Sequence, residues 1–360
     1  MPELEIIRPG DLDLDSRPFS EIIDVRSPSE FAEDHLPGAI NLPVLDDAER
    51  ARIGTIFKQE SPFLARRIGA AIIARRAADY LDGTLSEKPR DYQPLLYCWR
   101  GGMRSHSLAT ILAAVGWRTR LLEGGYKAYR KHLIESFDAH LSSRAFKFVI
   151  VGGLTGSGKT RLLTKLEELG HQIIDLEGIA EHRGSALGES RTTTQPSQKR
   201  FENLLWETLR PLDPSRPIFL ESESSRIGKL QIPAALWKHM GTAPSVEILI
   251  PRPLRAAYLL EHYEHFVEDP ELLRNKLLKL HHLHGADQLE FWDRLILTGD
   301  WQGFTESILE VHYDPAYTRS RKKLFRPQVA TIESHDITGA GIEALAHKVA
   351  EAADSIQIWE

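Results

Sequence analysis

The stretch that decides the fold of the second half of the chain is Gly153-Leu154-Thr155-Gly156-Ser157-Gly158-Lys159-Thr160. It fits the pattern G-x4-G-K-[ST], in which a glycine-rich loop presents its backbone N–H groups to phosphate oxygens. The apolar run Phe146 to Val151 precedes the loop and predicts a buried strand, and Arg161 to Leu169 follows it with helical spacing. A strand, a phosphate loop and a helix in this order predict an α/β domain with a parallel sheet.

The residues of this loop are expected to share the binding of a di- or triphosphate. Lys159 would reach the outer phosphate oxygens, and Thr160 could hold Mg²⁺. The predicted phosphate-binding residues are Gly153, Thr155, Gly156, Ser157, Gly158, Lys159 and Thr160. An acidic residue at the end of a neighbouring strand should help to hold the metal, and the candidates are Asp175 and Glu221. Either carboxylate could equally be a solvated strand end, so magnesium-dependent hydrolysis does not follow from the sequence.

A second loop, Cys98-Trp99-Arg100-Gly101-Gly102-Met103-Arg104-Ser105, follows the strand-like Pro94 to Tyr97. Its glycines would let successive N–H groups turn inward, and the helix that follows adds partial positive charge, so an anion is expected there. This field favours the thiolate of Cys98, the form that attacks. The flanking glycines and arginines argue against the alternative, a small buried side chain. The predicted catalytic residues are Cys98, Arg100 and Arg104, and the residues predicted to line the anion site are Trp99, Gly101, Gly102, Met103 and Ser105.

Cys98 is the single cysteine among 360 residues, which excludes an intramolecular disulfide and a zinc site built from several thiolates. The formal net charge of −6 excludes bulk attraction to nucleic acid, so RNA binding must use local patches. No apolar run approaches the ~18 residues of a membrane span. The acidic start Met1-Pro2-Glu3-Leu4-Glu5 lacks the basic region of a signal peptide. We expect a cytoplasmic protein without a membrane partner.

Strand and helix patterns alternate along both halves of the chain, which predicts two α/β domains. The expected divisions are an N-terminal parallel-sheet domain over residues 8–135, a polar helical connector over 136–145 and a phosphate-loop domain over 146–360. Within the last of these, Arg252 to about Val311 is mostly helical in pattern. The histidines of His281-His282-Leu283-His284 would point in different directions on a helix, so no metal site is predicted there.

Two cationic islands are the candidate contacts for RNA on this acidic chain. One lies between Pro315 and Ile332, and the other between Glu60 and Asp79, and both intervals lack acidic residues. The predicted tRNA-binding residues are Arg66, Arg67, Arg319, Arg321, Lys322, Lys323 and Arg326, with Tyr313, Tyr317 and Phe325 as stacking groups. The alternative for either island is an ordinary solvated face.

The N-terminal third resembles a rhodanese domain. The matching motifs are Asp24-Val25-Arg26 with Glu30-Phe31, His35-Leu36-Pro37-Gly38-Ala39-Ile40-Asn41, the cysteine loop, and Leu122-Glu123-Gly124-Gly125. The loop departs from the common sulfurtransferase form, because the C-x5-R spacing from Cys98 to Arg104 is one residue longer. The longer loop is similar to that of phosphatases with this fold, and it leaves room for a tetrahedral anion.

A rhodanese domain followed by a P-loop NTPase-like domain with a helical C-terminal part resembles the bacterial tRNA 2-selenouridine synthase family. Asp175-Leu176-Glu177-Gly178 and His182-Arg183-Gly184-Ser185 are also similar to that family. The resemblance implies replacement of sulfur by selenium at C2 of wobble 2-thiouridine in Lys, Glu and Gln tRNAs, with selenophosphate as donor. It also implies transfer of a geranyl group from geranyl diphosphate to that sulfur. Both donors would be co-substrates, with no tightly bound cofactor and with Mg²⁺ as an optional ion.

This resemblance assigns the two loops their expected ligands. The cysteine loop would hold selenophosphate beside Cys98, which predicts an S-selanyl cysteine intermediate, and the P-loop would grip the diphosphate of the geranyl donor. Three other functions remain open at this point. They are a phosphatase or sulfurtransferase using Cys98, a P-loop kinase or ATPase fused to an anion-binding domain, and an RNA-binding module without catalysis.

Overall fold

The structure is a computed structural model and describes residues 4–12, 18–182, 194–262, 267–278, 280–321 and 328–356. The chain divides into two compact units, Met1–Ala139 and His140–Glu360. Each unit has a five-stranded sheet in which all neighbouring strands are parallel. This arrangement confirms the predicted α/β class.

The first sheet places the cysteine loop at its carboxyl edge. Its strands are β1 (Glu5–Ile7), β2 (Glu21–Asp24), β3 (Ala39–Asn41), β4 (Pro94–Tyr97) and β5 (Arg120–Leu122), in the order β1-β5-β4-β2-β3. The central strand β4 is buried at every residue, as expected for an apolar strand covered on both faces. Cys98 follows β4 directly, at the edge where open α/β sheets bind ligands.

Local sequence determines where the helices of this unit begin. They are α1 (Pro28–Glu33), α2 (Asp47–Gln59), α3 (Pro62–Asp82), α4 (Met103–Val115) and α5 (Gly125–Ser143). A capping box precedes α1, where the N–H of Ser27 donates to Glu30 Oε2 and Pro28 occupies the first helical position. The apolar faces of α3 and α4 share one core with the sheet, in which Ile73 and Leu112 are buried. The region expected as a connector, 136–145, is largely the end of α5.

The second sheet places the phosphate loop at the end of its central strand. Its strands are β6 (Phe148–Gly152), β7 (Gln172–Ile174), β8 (Ile218–Glu221), β11 (Ser245–Leu249) and β12 (Gln328–Glu333), in the order β12-β11-β6-β8-β7. A separate antiparallel pair consists of β9 (Arg226–Ile227) and β10 (Leu230–Gln231). The carboxyl ends of β6, β7 and β8 meet at one edge, which brings their acidic residues near the loop.

The helices of the second unit cover the sheet and form a further helical part. They are α6 (Lys159–Glu168), α7 (Leu176–Ile179), α8 (Gln198–Leu209), α9 (Ala234–Thr242), α10 (Arg252–His262), α11 (Pro270–Leu278), α12 (Ala286–Leu297), α13 (Trp301–Ile308), α14 (Asp314–Arg321) and α15 (Gly339–Asp354). A π-helical turn, Leu309–Tyr313, joins α13 to α14. Helices α11 to α13 pack around the fully buried Trp292 and form their own apolar core. The predicted helical segment from Arg252 onward is thereby confirmed.

Strand β12 is the main element that the sequence did not predict. It lies in parallel beside β11 at the edge of the sheet, and each of its residues is exposed or half-buried. A half-exposed edge strand lacks the continuous apolar run by which the buried strands were identified.

Candidate functional site

The sulfur of Cys98 is held at the base of the loop between β4 and α4. Its Sγ accepts hydrogen bonds from the N–H of Gly102 and the hydroxyl of Ser105, both at 3.2 Å. Cys98 is 3% exposed. The thiol of Cys98 also donates to the carbonyl oxygen of Gly102 at 3.8 Å, so three polar contacts fix the position of the sulfur.

The turn Gly124-Gly125 fixes the backbone of the cysteine loop. Gly125 has a φ of +59°, and a Cβ there would lie 2.1 Å from the carbonyl oxygen of Cys98. The N–H of Tyr126 donates to that same oxygen at 2.8 Å, and the N–H of Lys127 donates to Trp99 O at 3.0 Å. Only glycine fits at position 125, because both the backbone angle and the close approach exclude a side chain.

Arg104 forms an ion pair with a buried carboxylate. Its Nη1 lies 2.7 Å from Oε2 of Glu30, and Arg50 Nε lies 3.1 Å from the same oxygen. Burial acts to raise the pKa of Glu30, but the hydrogen bond and charge of Arg104, with Ser27 and Arg50, lower it to about 2. The carboxylate therefore stays ionised and holds the Arg104 guanidinium beside the loop.

The remaining residues of the loop differ in exposure. Arg100 and Met103 are exposed, and the Trp99 ring lies 5.4 Å from the ring of Tyr126. Arg100 is thus free to swing over the loop, whereas Arg104 would have to share its guanidinium between Glu30 and an anion. The catalytic roles of Arg100 and Arg104 stay predictions.

Replacing Glu30 by glutamine is expected to destabilise the protein by about 3 kcal/mol at pH 7. The folded-state pKa of Glu30 lies below its ordinary value of 4.5. Its contribution is therefore present above that pH and is lost as the pH falls towards about 2. Urea unfolding of wild type and Glu30→Gln should show a free-energy difference that shrinks by about 2 kcal/mol between pH 7 and pH 3. The exposed Glu60→Gln is the control, and a pH-independent Glu30 difference would contradict the ion pair.

The P-loop has the backbone expected of a phosphate cradle. Gly156 and Gly158 have φ angles of +82° and +72°, which glycine adopts at little cost. The ammonium of Lys159 donates to the carbonyl oxygen of Gly153 at 2.9 Å. Burial acts to lower the pKa of Lys159, but Tyr317 and the carboxylates of Glu177, Glu223 and Glu221 raise it. Lys159 is therefore a permanent cation at the mouth of the loop.

Side chains of helices α10 and α14 contact the backbone of the P-loop directly, although these helices come a hundred or more positions later in the sequence. The hydroxyl of Tyr317 accepts a hydrogen bond from the N–H of Gly153 at 2.9 Å. Arg255 is buried, donates to Thr155 O at 3.0 Å and pairs with both carboxylate oxygens of Asp314 at 2.9 and 2.8 Å. Both ends of the first turn of the loop are thus fixed by side chains.

The predicted acidic partners of the P-loop have different surroundings. Asp175 caps α7, where its Oδ1 accepts from the N–H of Gly178 at 2.7 Å. Glu221 is 2% exposed, and its Oε1 accepts from the N–H of Glu177 at 2.7 Å while its Oε2 has no partner in the described structure. Burial, followed by the charge of Asp175, raises the pKa of Glu221. Burial and the neighbouring Glu177 raise the pKa of Glu223 to about 8. These carboxyl groups therefore form a buried acidic cluster within electrostatic reach of Lys159.

A magnesium ion fits this site only together with phosphate oxygens. Within the described ranges, no three His, Cys, Asp or Glu side chains are grouped as metal ligands. The hydroxyl of Thr160 lies 3.5 Å from Glu177 Oε2, and the unpartnered Glu221 Oε2 is nearby in the same acidic group. Mg²⁺ commonly binds to one or two protein oxygens and completes its shell with phosphate and water. The residues present therefore suit an ion that arrives with a diphosphate.

Two protein families match this chain, one in each of its two structural units. A family model described as the tRNA 2-selenouridine synthase AAA domain matches residues 146–276, and a rhodanese-like domain model matches residues 11–132. A tRNA 2-selenouridine synthase of Nitrosomonas europaea is 37% identical over 67% of this chain and 63% of its own length, slightly under two thirds. Proteins of the same name from Sulfurovum sp. and Shewanella loihica are 34% and 32% identical, over 75% and 82% of this chain and 71% and 86% of their own lengths.

The chain belongs to the tRNA 2-selenouridine synthase family. This membership confirms the resemblance drawn from the two loops and their order. Among solved structures, a rhodanese-related protein from Thermoplasma volcanium covers 36% of this chain and 92% of its own length, with 18% identity and a TM-score of 0.24, a likeness too low to add to the assignment.

The predicted RNA contacts of this tRNA 2-selenouridine synthase family member lie on two helices where the structure describes them. Arg66 and Arg67 are exposed on α3, and Arg319 is exposed on α14. Outside the described residues or side chains are Arg321, Lys322, Lys323, Phe325 and Arg326, together with Arg183, Gly184 and Ser185 of the family-like motif. None of the helices that the structure describes is long and apolar enough to cross a bilayer.

Several residues that shape the two loops were not among the sequence-based candidates for this family member. Glu30 enters the sequence analysis only as part of the rhodanese-like motif, although it also binds Arg104. Arg255 and Asp314 carry no sequence signal, and Glu177 belongs only to the family-like motif Asp175-Leu176-Glu177-Gly178. Tyr317, predicted as a stacking group for RNA, accepts a hydrogen bond from the P-loop. The capping signal at Glu30 could have drawn attention to that residue, but no local pattern links Tyr317 to Gly153.

Proposed function

We propose that this chain replaces the sulfur at C2 of wobble 2-thiouridine in tRNA by selenium, with selenophosphate as donor. The observation that carries the proposal is the cysteine loop, in which Cys98 Sγ accepts two hydrogen bonds beside the cations Arg100 and Arg104. The name shared by the relatives supports tRNA as the substrate. The Lys, Glu and Gln tRNAs are the proposed targets.

Electron balance decides which atom of selenophosphate Cys98 attacks. Transfer of selenium to the thiolate would release phosphite, in which phosphorus is reduced. To release phosphate instead, that step would need an oxidant that the reaction does not supply. Attack on phosphorus forms an S–P bond and breaks the P–Se bond, and the electron pair stays on selenium without any redox change. Water then releases phosphate from the cysteine. We therefore favour a phosphoryl group, rather than the expected selanyl group, as the species carried by Cys98, and the C-x5-R spacing suits such a tetrahedral group.

The P-loop is proposed to bind geranyl diphosphate and thereby prepare the tRNA sulfur for departure. The C2 sulfur attacks C1 of the geranyl group, the C–O bond breaks, and diphosphate leaves with the electron pair while the N3 proton passes to solvent. Selenium then forms its bond to C2 as the geranyl thiol leaves. Alkylation thus converts a poor thiocarbonyl leaving group into a good one.

Lys159 is proposed to stabilise the negative charge that develops on the departing diphosphate. A fixed cation directed at developing charge lowers the barrier most in a partly desolvated site. Mg²⁺ bound by Thr160 and Glu177 would neutralise further phosphate charge. The backbone N–H groups at the exposed start of α6 would donate to the diphosphate oxygens that neither Lys159 nor Mg²⁺ contacts.

The geranyl chain is proposed to run along α10. A Cβ on Gly156 would lie 3.0 Å from Leu259 Cγ, and one on Gly158 would lie 3.9 Å from the ring of Tyr258. These side chains are therefore the apolar groups of α10 next to the phosphate cradle. Leu254 on the same helix packs against the main core of the second unit. An apolar chain leaving the P-loop would meet this helix first.

Replacing Tyr317 by phenylalanine is expected to weaken geranyl diphosphate binding about fivefold. The variant leaves the N–H of Gly153 without its acceptor and so loosens the first turn of the P-loop. Calorimetric titration without tRNA measures the effect. Tyr80→Phe removes a comparable hydrogen bond, to Pro43 O in the first unit, and serves as the matched control. Equal affinities for wild type and Tyr317→Phe would show that this contact does not shape the diphosphate site.

The proposed function is tested by incubating the full chain with selenophosphate, geranyl diphosphate and 2-thiouridine tRNA. Mass spectrometry of the digested nucleosides should show S-geranyl-2-thiouridine and 2-selenouridine. Turnover of an aryl phosphate or of ATP without tRNA, with no modified nucleoside, would instead support the phosphatase or the ATPase.

A further inference from the structure

Helix α3 carries exposed arginines with unengaged side chains, of which Arg67 and Arg75 form a row along its exposed face. Arg66, Arg67 and Arg75 are exposed, and within the described part of the chain no hydrogen bond or ion pair engages their side chains. Arg76 differs, because its guanidinium lies 3.7 Å from Asp46 and 3.6 Å from Glu49. Three cations on one helix are thus left without counter-charge.

The surroundings of these arginines are small and free of negative charge. Positions 61–78 include no acidic residue. Between the arginines, Ala70, Ala71 and Ala74 are exposed and short, so they leave room for a bulky polyanion to approach the helix. Phe63, one turn before Arg67, is 74% exposed and offers a ring to an unpaired base.

The row leads towards the cysteine loop. The C-terminal half of α3 is fastened to the first turn of α2 by Arg76, and Arg50 in that turn contacts Glu30. Glu30 in turn binds Arg104 in the first turn of α4, which follows Cys98. Arg67 and Arg75 are eight residues apart, which corresponds to a rise of about 12 Å along the helix. A strand held along the row would therefore be directed to the edge of the sheet where Cys98 lies.

We propose that this face of α3 binds the phosphate backbone of the tRNA anticodon arm and guides the wobble base to the cysteine loop. The inference rests on the proposed function for its choice of tRNA as the polyanion. Charge complementarity carries it, since phosphate contacts by arginine supply most of the sequence-independent affinity for RNA. Arg67 and Arg75, about 80° apart around the helix, mark the two ends of the contact.

Fluorescence anisotropy of an unmodified lysine tRNA transcript with the full chain tests the proposal. Each lost phosphate contact should reduce the slope of log affinity against log salt by about 0.7 to 0.9. Arg67→Ala with Arg75→Ala should therefore lower the slope by about 1.4 to 1.8, which extrapolated from a 1 M salt reference lowers the affinity at 0.1 M salt by about twenty-five- to sixtyfold. Arg67→Lys with Arg75→Lys retains the charge and should retain most of the binding.

The control removes two cations from other surfaces of the same unit, with Arg90→Ala and Lys131→Ala, both exposed. Equal losses in control and test variants, or an unchanged slope in the test variant, would overturn the proposal. A test variant that alters self-association but binds tRNA normally would assign the face to a second copy of the chain and also overturn it. Transcript binding needs neither donor, so a chain that binds through α3 but makes no selenouridine would refute only the proposed function.

Discussion

The Cys98→Ala variant is expected to form 2-selenouridine at least about a thousandfold more slowly than wild type, because it lacks the atom that accepts the phosphoryl group. The geometry supports this expectation, since Gly102 and Ser105 both donate to Cys98 Sγ. The measurement is the rate of nucleoside conversion with selenophosphate and geranylated tRNA. Intact-protein mass spectrometry of wild type during turnover should show one added phosphoryl group.

Two comparisons make the Cys98 prediction specific. Ser105→Ala removes one donor to the sulfur but keeps the nucleophile, so it should reduce the rate about tenfold without abolishing it. Geranyl transfer to 2-thiouridine tRNA should continue in Cys98→Ala, because we propose that this step uses the P-loop and not the cysteine loop. Undiminished selenation by Cys98→Ala would remove Cys98 from the mechanism, and a selenium adduct on the protein would contradict attack on phosphorus.

Replacing Lys159 by alanine is expected to slow geranyl transfer by about a hundredfold or more, because the departing diphosphate loses its main cationic partner. The ammonium is held at the loop by Gly153 O, and nearby carboxylates raise its pKa, so it is charged throughout the usable pH range. The assay is formation of S-geranyl-2-thiouridine from geranyl diphosphate and 2-thiouridine tRNA under single-turnover conditions.

Lys165 offers a matched control for this substitution. It lies on the same helix, pairs with Glu168 at the surface and does not contact the P-loop residues described above. Lys165→Ala should therefore transfer the geranyl group at the wild-type rate. Normal geranylation by Lys159→Ala would move the diphosphate to another part of the molecule. Selenation of pre-geranylated tRNA should be unaffected in Lys159→Ala, which separates the two steps.

The parts of the fold that the sequence predicted are those encoded by local pattern. The buried strands β4 and β6 are uninterrupted apolar runs, and each is followed by a glycine-rich loop and a helix, so the sequence alone places both loops. The helical segment after Arg252 was also recognisable from its spacing. Strand β12 was not predicted because it is an edge strand with no fully buried residue and no continuous apolar run.

Only those contacts of the candidate site that lie within one loop could be predicted from the sequence. Cys98, Gly102 and Ser105 lie within one loop and one turn of helix, and their contacts follow from that spacing. The contacts between Glu30 and Arg104, and between Tyr317 and Gly153, join residues 74 and 164 positions apart. Such pairs depend on how the sheet orders its strands, which no local pattern records. Asp175, an expected metal partner, also caps α7, and its role at a metal stays a prediction.

The hydrogen bond from Lys159 to Gly153 O has a consequence for selectivity. A ligand must draw the ammonium away from a backbone carbonyl that already satisfies it, and the carbonyl must then be left to solvent or to another donor. A neutral group or a single weak acceptor forms a hydrogen bond to the ammonium that is too weak to replace the one to Gly153 O. A diphosphate has several negative oxygens and forms stronger, charge-assisted hydrogen bonds. We therefore expect the P-loop to select ligands mainly by their negative charge. Prenyl alcohols or monophosphates released in the cell would compete poorly with the proposed diphosphate.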